Sequence, residues 1–251
     1  MKILENTYSY IFKNILRAVN PIKKKIIKTE CEVHKFINNQ AVEILKNDKH
    51  DKAYNLMHRY INEINSGVVW ADQDFKSSNH FYNPDNKRGM YGCSNALLES
   101  RRYYSKAVKY YNSGNIKMAM FYLGAACHLI QDITVPQHVN VKLLNQHRQY
   151  EQWVIRAYKE HENFKVKNGG IYFSTIGEYA KLNSKIAMDT YRKYQSTQDK
   201  NQRYYKITSI ILSIAQKTTA GLLMKFYRDV KRIEAIKKDK YGRKSYRLKI
   251  L

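Results

Sequence analysis

The sequence predicts an all-α fold, a single-domain multi-helix bundle, and three observations point that way. Glycine and proline are scarce, at 10 and 3 residues in 251, so few positions interrupt the chain. Apolar residues recur with the helical period over long stretches, not with the alternation of half-buried strands. Short runs of Asn, Asp, Ser and Gly separate those stretches, as helix caps and tight connections do. A chain of 251 residues also suffices to bury one large core.

Taken in order, residues 7–20 place Tyr8, Ile11, Phe12, Ile15, Leu16 and Val19 on one helical face, with Asn6 or Thr7 as N-cap and Pro21 as the stop. Lys23, Lys24, Lys25 and Lys28 follow, so 1–30 reads as an amphipathic, basic N-terminal extension that packs on the bundle or lies on a membrane surface. Further helices are predicted at 31–47, 51–66, 94–113, 115–132, 147–164, 174–195 and 201–236. The segment 67–93, rich in Asp, Asn, Ser and Gly, reads as a long ordered loop, and such a loop in a compact domain usually carries function. A second irregular stretch is expected at 133–146. Residues 31–236 form the predicted core domain, and 237–251 a basic C-terminal tail.

Charge narrows the partners. Lys and Arg number 45 against 21 Asp and Glu, a formal net charge of +24, which creates a field that attracts polyanions. Anionic membrane surfaces and nucleic acids both qualify, and a solvated basic surface is the plainer reading of any single run. Cys31, Cys93 and Cys127 are an odd set that implies no disulfide framework, and Cys127 lies in an apolar helical run that predicts a buried free thiol. The first residues lack an uninterrupted apolar core of the secretory type, and no stretch reaches the roughly 20 apolar residues of a membrane span. The expectation is a monomer in the cytoplasm or held peripherally on a membrane.

The richest chemistry lies in FYLGAACHLIQDITVPQH, residues 121–138. His128 and Asp132 are four apart and project from one helical face, where they can share a metal ion or bind two adjacent ones. Pro136 ends that helix, and His138 follows where the chain can turn back toward the same point. His147 and Glu151 repeat the four-residue spacing at the start of the next helix. Facing helices that carry imidazoles and carboxylates inward are a common way for bundles to build metal sites. A donor set of nitrogen and oxygen without clustered cysteines suits zinc ahead of manganese or iron.

This segment, the upstream HFYNPDN at 80–86 and the HxxxE pair at 147–151 resemble, in the same order, the motifs of the bacterial zinc-dependent phospholipases C, from about Cys31 to Tyr227. The resemblance implies a helical bundle with a cluster of zinc ions at the bottom of a cleft, and hydrolysis of phospholipids to diacylglycerol and a phosphorylated headgroup. By the match of HKFINNQAVEIL, it makes His34 a zinc ligand. Asp72 in WADQD matches an aspartate that serves as ligand and base, with Asp74 close enough to be the equivalent instead. His80, His128 and Asp132 complete a paired-metal site with Asp132 bridging, and His138, His147 and Glu151 hold the remaining ion.

Two departures qualify the match. Family enzymes place the amine and carbonyl of an N-terminal Trp on one zinc, whereas no Trp lies among the residues before His34. The resemblance therefore supplies ligands for two ions and lacks this ligand for a third. Two readings stand for Cys31: a replacement thiolate ligand or a structural thiol. Leu129 and Gln131 stand where the family usually has Tyr and a small residue, a change around the ligands and not in them. Trp70, Phe75, Phe81, Tyr82 and Tyr91 flank the long loop as core residues or as the wall of a lipid cleft. Single-strand nucleases share the helical trizinc architecture and are the main alternative; a noncatalytic zinc-stabilised membrane-binding protein is the third.

Overall fold

The computed structural model describes residues 31–73, 80–84, 94–140 and 147–248, and every regular element among them is helical. The order is α1 (Glu32–Asn47), α2 (Asp51–Arg59), α3 (Ile61–Asp72), α4 (Ala96–Asn112), α5 (Ile116–Asp132), α6 (Pro136–Val139), α7 (His147–Glu160), a 3-10 turn (Glu162–Phe164), α8 (Ile176–Tyr194) and α9 (Lys200–Leu248). The segment 7–20, the lysines at 23–28 and residues Asp74, Phe75, Tyr91 and Cys93 lie outside the described residues.

Local chemistry explains several of the starts. The Asn95 side chain accepts from the Leu98 backbone N–H at α4, and Asn115 does the same for Met118 at α5. Thr175 and Glu178 form a reciprocal capping box at α8. Each such cap contributes about 1 kcal/mol by satisfying backbone donors that the helix itself leaves unpaired.

Three predicted boundaries move. The helix expected at 51–66 is two helices, broken at Tyr60 (φ −115°, ψ 24°), and the second runs through Gly67 to Asp72. Gly67 is a packing residue and not a stop. A Cβ there would lie 1.8 Å from the Phe121 carbonyl oxygen, and one on Gly124 would lie 1.9 Å from that of Ile64. Helices α3 and α5 thus meet backbone to backbone, and their packing offsets the roughly 1 kcal/mol that glycine costs a helix interior. The irregular stretch at 133–146 contains α6, started by Pro136 at its first turn. Finally, α9 continues past 236 to Leu248, because its Lys, Arg and Ala-containing sequence has no proline to end it.

The main core cluster includes Ile44, Leu45, Met57, Ile64, Met120, Leu123, Ile130 and Phe226, and two smaller ones lie around Phe164 and Tyr204. Cys127 is a free thiol inside it, as the apolar run predicts. Trp70 packs on Tyr103, Phe121 and Tyr122 with ring centroids 5.4–5.8 Å apart and Tyr82 is buried in the core, which places these two in the framework, whereas Phe81, also buried, lines the cleft. Part of α9 is long and apolar enough to cross a membrane by composition, but 72% of that window is buried in the bundle, where it serves as a core helix.

Candidate metal centre

Side chains from five helices and one connecting segment converge at one end of the α3–α5 pair. From α5 come His128 and Asp132, both about 1% exposed, with His128 Nε2 3.2 Å from Asp132 Oδ2. Helix α3 ends on Asp72, whose Oδ1 lies 3.9 Å from His128 Nε2. From α1 comes His34, its Nε2 3.5 Å from Asp132 Oδ1.

His80 arrives on the segment 80–84, which is fastened at two points: Tyr82 N–H donates to the His138 carbonyl and Ala96 N–H to the Phe81 carbonyl. Its Nε2 lies 3.2 Å from the Ala71 carbonyl oxygen, an acceptor only, so this nitrogen carries the proton. The lone pair of His80 Nδ1 is then free to face Asp132 Oδ2 at 3.1 Å and Asp72 Oδ1 at 4.0 Å. His138 on α6 presents Nδ1 to Asp132 Oδ1 at 3.4 Å, and its Nε2 lies 2.6 Å from His147 Nε2. His147 Nε2 in turn is 2.9 Å from Glu151 Oε1, one turn along α7.

All eight residues nominated from the sequence therefore meet in one place. They sort into three groups with mutually close ligand atoms: His34, His128 and Asp132; Asp72, His80 and His128; His138, His147 and Glu151. The other three histidines lie apart, in edge or tilted ring contacts: His50 with Tyr172, His58 with Tyr54 and His161 with Phe164.

Electrostatics follows from this crowding. Burial alone would raise the Asp132 carboxyl, but His128, His138 and His80 outweigh it and hold Asp132 well below the usual carboxylate range. Asp72 is lowered in the same way, against burial, by His128 and His80. Burial pushes His80 down to about 4 despite Asp132, and it lowers His34, with the neighbouring His128 adding to the effect. For His128 and His138 the attraction of Asp132 overcomes burial and raises them. Carboxylates kept ionised beside imidazoles are the donor set of a zinc site.

The residues fit such an ion on a second ground. Asp132 Oδ2 and His138 Nδ1 are buried and have no hydrogen-bond partner, although other nitrogen and oxygen donors surround them. Buried polar atoms left unpaired cost about 1–3 kcal/mol each, and a cation among them removes that cost.

Cys31 belongs to none of the three groups of close ligand atoms. It sits in the left-handed region (φ 47°, ψ 37°) just before α1, and its Sγ donates to Asp72 Oδ2 at 3.1 Å. Burial, then the charge of Asp72, push the thiol strongly up, which keeps it a proton donor. Spacing alone did not reveal the support around the ligands: Gln131 joins His34 to Asn38 and Thr219, and Tyr150 pairs with Thr208 on the cleft wall. The one available signal was the unusual Gln131 beside Asp132.

The cluster opens into a cleft of about 780 Å³. Its lining includes the apolar side chains of Val33, Ile37, Val154, Ile211, Leu212 and Ala215.

Comparison with known proteins agrees with this arrangement. A family model described as zinc dependent phospholipase C matches residues 33–221. A phospholipase C of Bacillus cereus is 28% identical over 160 residues, covering 57% of this chain and 55% of that protein. One of Clostridium perfringens strain 13 is 25% identical over 236 residues, covering 78% and 58%. The chain thus spans little more than half the length of these relatives. Among solved structures, the alpha toxin of Clostridium absonum superposes with a TM-score of 0.69 at 20% identity, over 79% of this chain and 63% of that one. The alpha-toxin of an avian Clostridium perfringens strain gives 0.68 at 21%, a likeness that speaks to the fold. With the family model matching most of its length and the helical fold shared, the chain belongs to the zinc-dependent phospholipase C family.

Proposed function

We propose that the protein is a zinc-dependent phosphodiesterase acting on phospholipids, a phospholipase C that releases diacylglycerol and a phosphorylated headgroup. His34, His128 and Asp132, then Asp72 and His80, and finally His138, His147 and Glu151 are the residues that would hold zinc. When bound, zinc polarises phosphoryl oxygens and acidifies water.

The chain's own residues divide the remaining work. The Asp132 side chain is 2% exposed and central, which suits a ligand shared between sites; that of Asp72 is 25% exposed and borders the cleft, which suits the base. Asp72 takes a proton from the attacking water as the new P–O bond forms, and the glycerol-side oxygen leaves as its bond to phosphorus breaks and takes up a proton from solvent. Cys31 holds the Oδ2 of Asp72, so that Oδ1 faces the imidazoles.

One observation favours lipid over nucleic acid. The described lining of the cleft contains no lysine or arginine, in a chain that carries 45 of them, while it includes aliphatic side chains. A groove for a nucleic-acid strand is lined by cations and stacking aromatics; acyl chains need the apolar lining found here. The net charge of +24 suits an anionic membrane surface.

The test is phosphodiester hydrolysis by zinc-loaded protein on phosphatidylcholine, phosphatidylethanolamine and phosphatidylserine vesicles beside single-stranded DNA, with a His128→Ala, Asp132→Ala double variant as control. Diacylglycerol release that the double variant abolishes is the expected result. Cleavage of DNA alone would transfer the assignment to a nuclease.

A further inference from the structure

Four amides, running from the exposed Asn39 through the half-buried Asn65 to the buried Asn38 and Gln131, form a one-way hydrogen-bonded chain that ends on His34. Asn65 Nδ2 donates to Asn39 Oδ1 at 3.3 Å, and Asn38 Nδ2 donates to Asn65 Oδ1 at 3.0 Å. Asn38 Oδ1 is thereby left to accept from Gln131 Nε2, at 2.8 Å, and the same nitrogen donates to Thr219 Oγ1 at 3.1 Å. Both donors of Gln131 being turned that way, its Oε1 faces His34 Nδ1 at 2.8 Å. An amide oxygen accepts only, so His34 Nδ1 must carry the proton.

We propose that Gln131 is a positioning residue that fixes the Nδ1–H tautomer of His34 and so presents the Nε2 lone pair to the metal cluster. The inference builds on the metal-site reading above. At the other ring atom, Nε2 lies 3.5 Å from Asp132 Oδ1. In the opposite tautomer that nitrogen would bear a proton and could not ligate. Gln131, Asn38 and Thr219 are each 1% exposed or less and come from α5, α1 and α9, so water cannot substitute for the relay. Donors aligned in one direction polarise one another, which strengthens the last bond in the series. Partners of this kind orient ligating imidazoles generally. Here the unusual glutamine beside Asp132 takes that position.

Two readouts test it on the full chain. Long-range ¹H–¹⁵N correlation on zinc-free protein, with His34 assigned by comparison with His34→Asn, reads the tautomer directly. Wild type should show Nδ1–H. Gln131→Met should shift His34 toward Nε2–H and weaken zinc binding by roughly 10–100-fold in chelator competition. Gln131→Glu, which keeps an acceptor, should restore the Nδ1–H form. An Nε2–H tautomer in wild type, or a Gln131→Met protein with unchanged tautomer and zinc affinity, would overturn the proposal. The wild-type arm requires no variant to fold. Wild type that holds the Nδ1–H form but takes up no zinc would support the Gln131 relation while removing the metal reading on which its purpose rests.

Discussion

The thiol of Cys31 and the carboxylate of Asp72, 41 positions apart in sequence, are joined by an Sγ to Oδ2 hydrogen bond of 3.1 Å. Removing it frees the one candidate base that borders the cleft. Cys31→Ala should therefore lower diacylglycerol release about 10-fold, the low end of what outer-sphere contacts to metal sites contribute. Cys31→Ser, which retains a donor, should recover most of the rate. Thermal unfolding of both variants checks that the fold is intact; full activity in Cys31→Ala would refute the role.

Gly124 and Ile64 support the same geometry from below. A methyl group on Gly124 would fall 1.9 Å from the Ile64 carbonyl oxygen, and that oxygen belongs to backbone and cannot turn aside. Gly124→Ala should cost about 1–3 kcal/mol, as over-packing does, read as a lower urea midpoint with unchanged slope. It should also reduce zinc stoichiometry, since Asp72 lies on one helix of the pair and His128 and Asp132 on the other.

Asp48, just after α1, accepts backbone N–H bonds from Gly169 and Gly170, each 2.8 Å, and a hydroxyl bond from Tyr172. Burial would raise its carboxyl, but these bonds outweigh it, and the folded-state pKa falls below the ordinary value of 3.8. A carboxyl depressed by folding contributes its stability above the unfolded pKa and loses it as pH falls through the folded one. Asp48→Asn should thus be about 1 kcal/mol less stable than wild type at pH 7, with the gap closing below pH ~4. Urea unfolding at pH 7 and pH 3 measures both; a gap independent of pH would rule out the carboxylate as its source.

Zinc itself should stabilise the fold. Ligand at about 1,000 times its dissociation constant adds about 4 kcal/mol, so the unfolding temperature should rise with zinc and fall on chelation. The His128→Ala, Asp132→Ala protein should show a smaller response in calorimetry, because these residues serve the two central groups while His138, His147 and Glu151 are retained.

Much of this protein was legible before its fold. Spacings of four placed His128 with Asp132 and His147 with Glu151 on helical faces, and helical periodicity marked most elements, because both depend on neighbours within one turn. Gly67 misled for the same reason: local propensity reads glycine as a break, whereas the close approach to Phe121 that makes it necessary comes from a helix far along the chain. The joining of His34, Asp72 and His80 to α5 could be expected only through family resemblance, since no local rule relates residues so distant. Tertiary structure alone decided that Cys31 donates to Asp72, that an amide relay selects the tautomer of His34, and that the cleft lining includes aliphatic side chains and no lysine or arginine among its described residues. Each depends on side-chain direction and burial across two or more helices, quantities that arise only when the bundle packs.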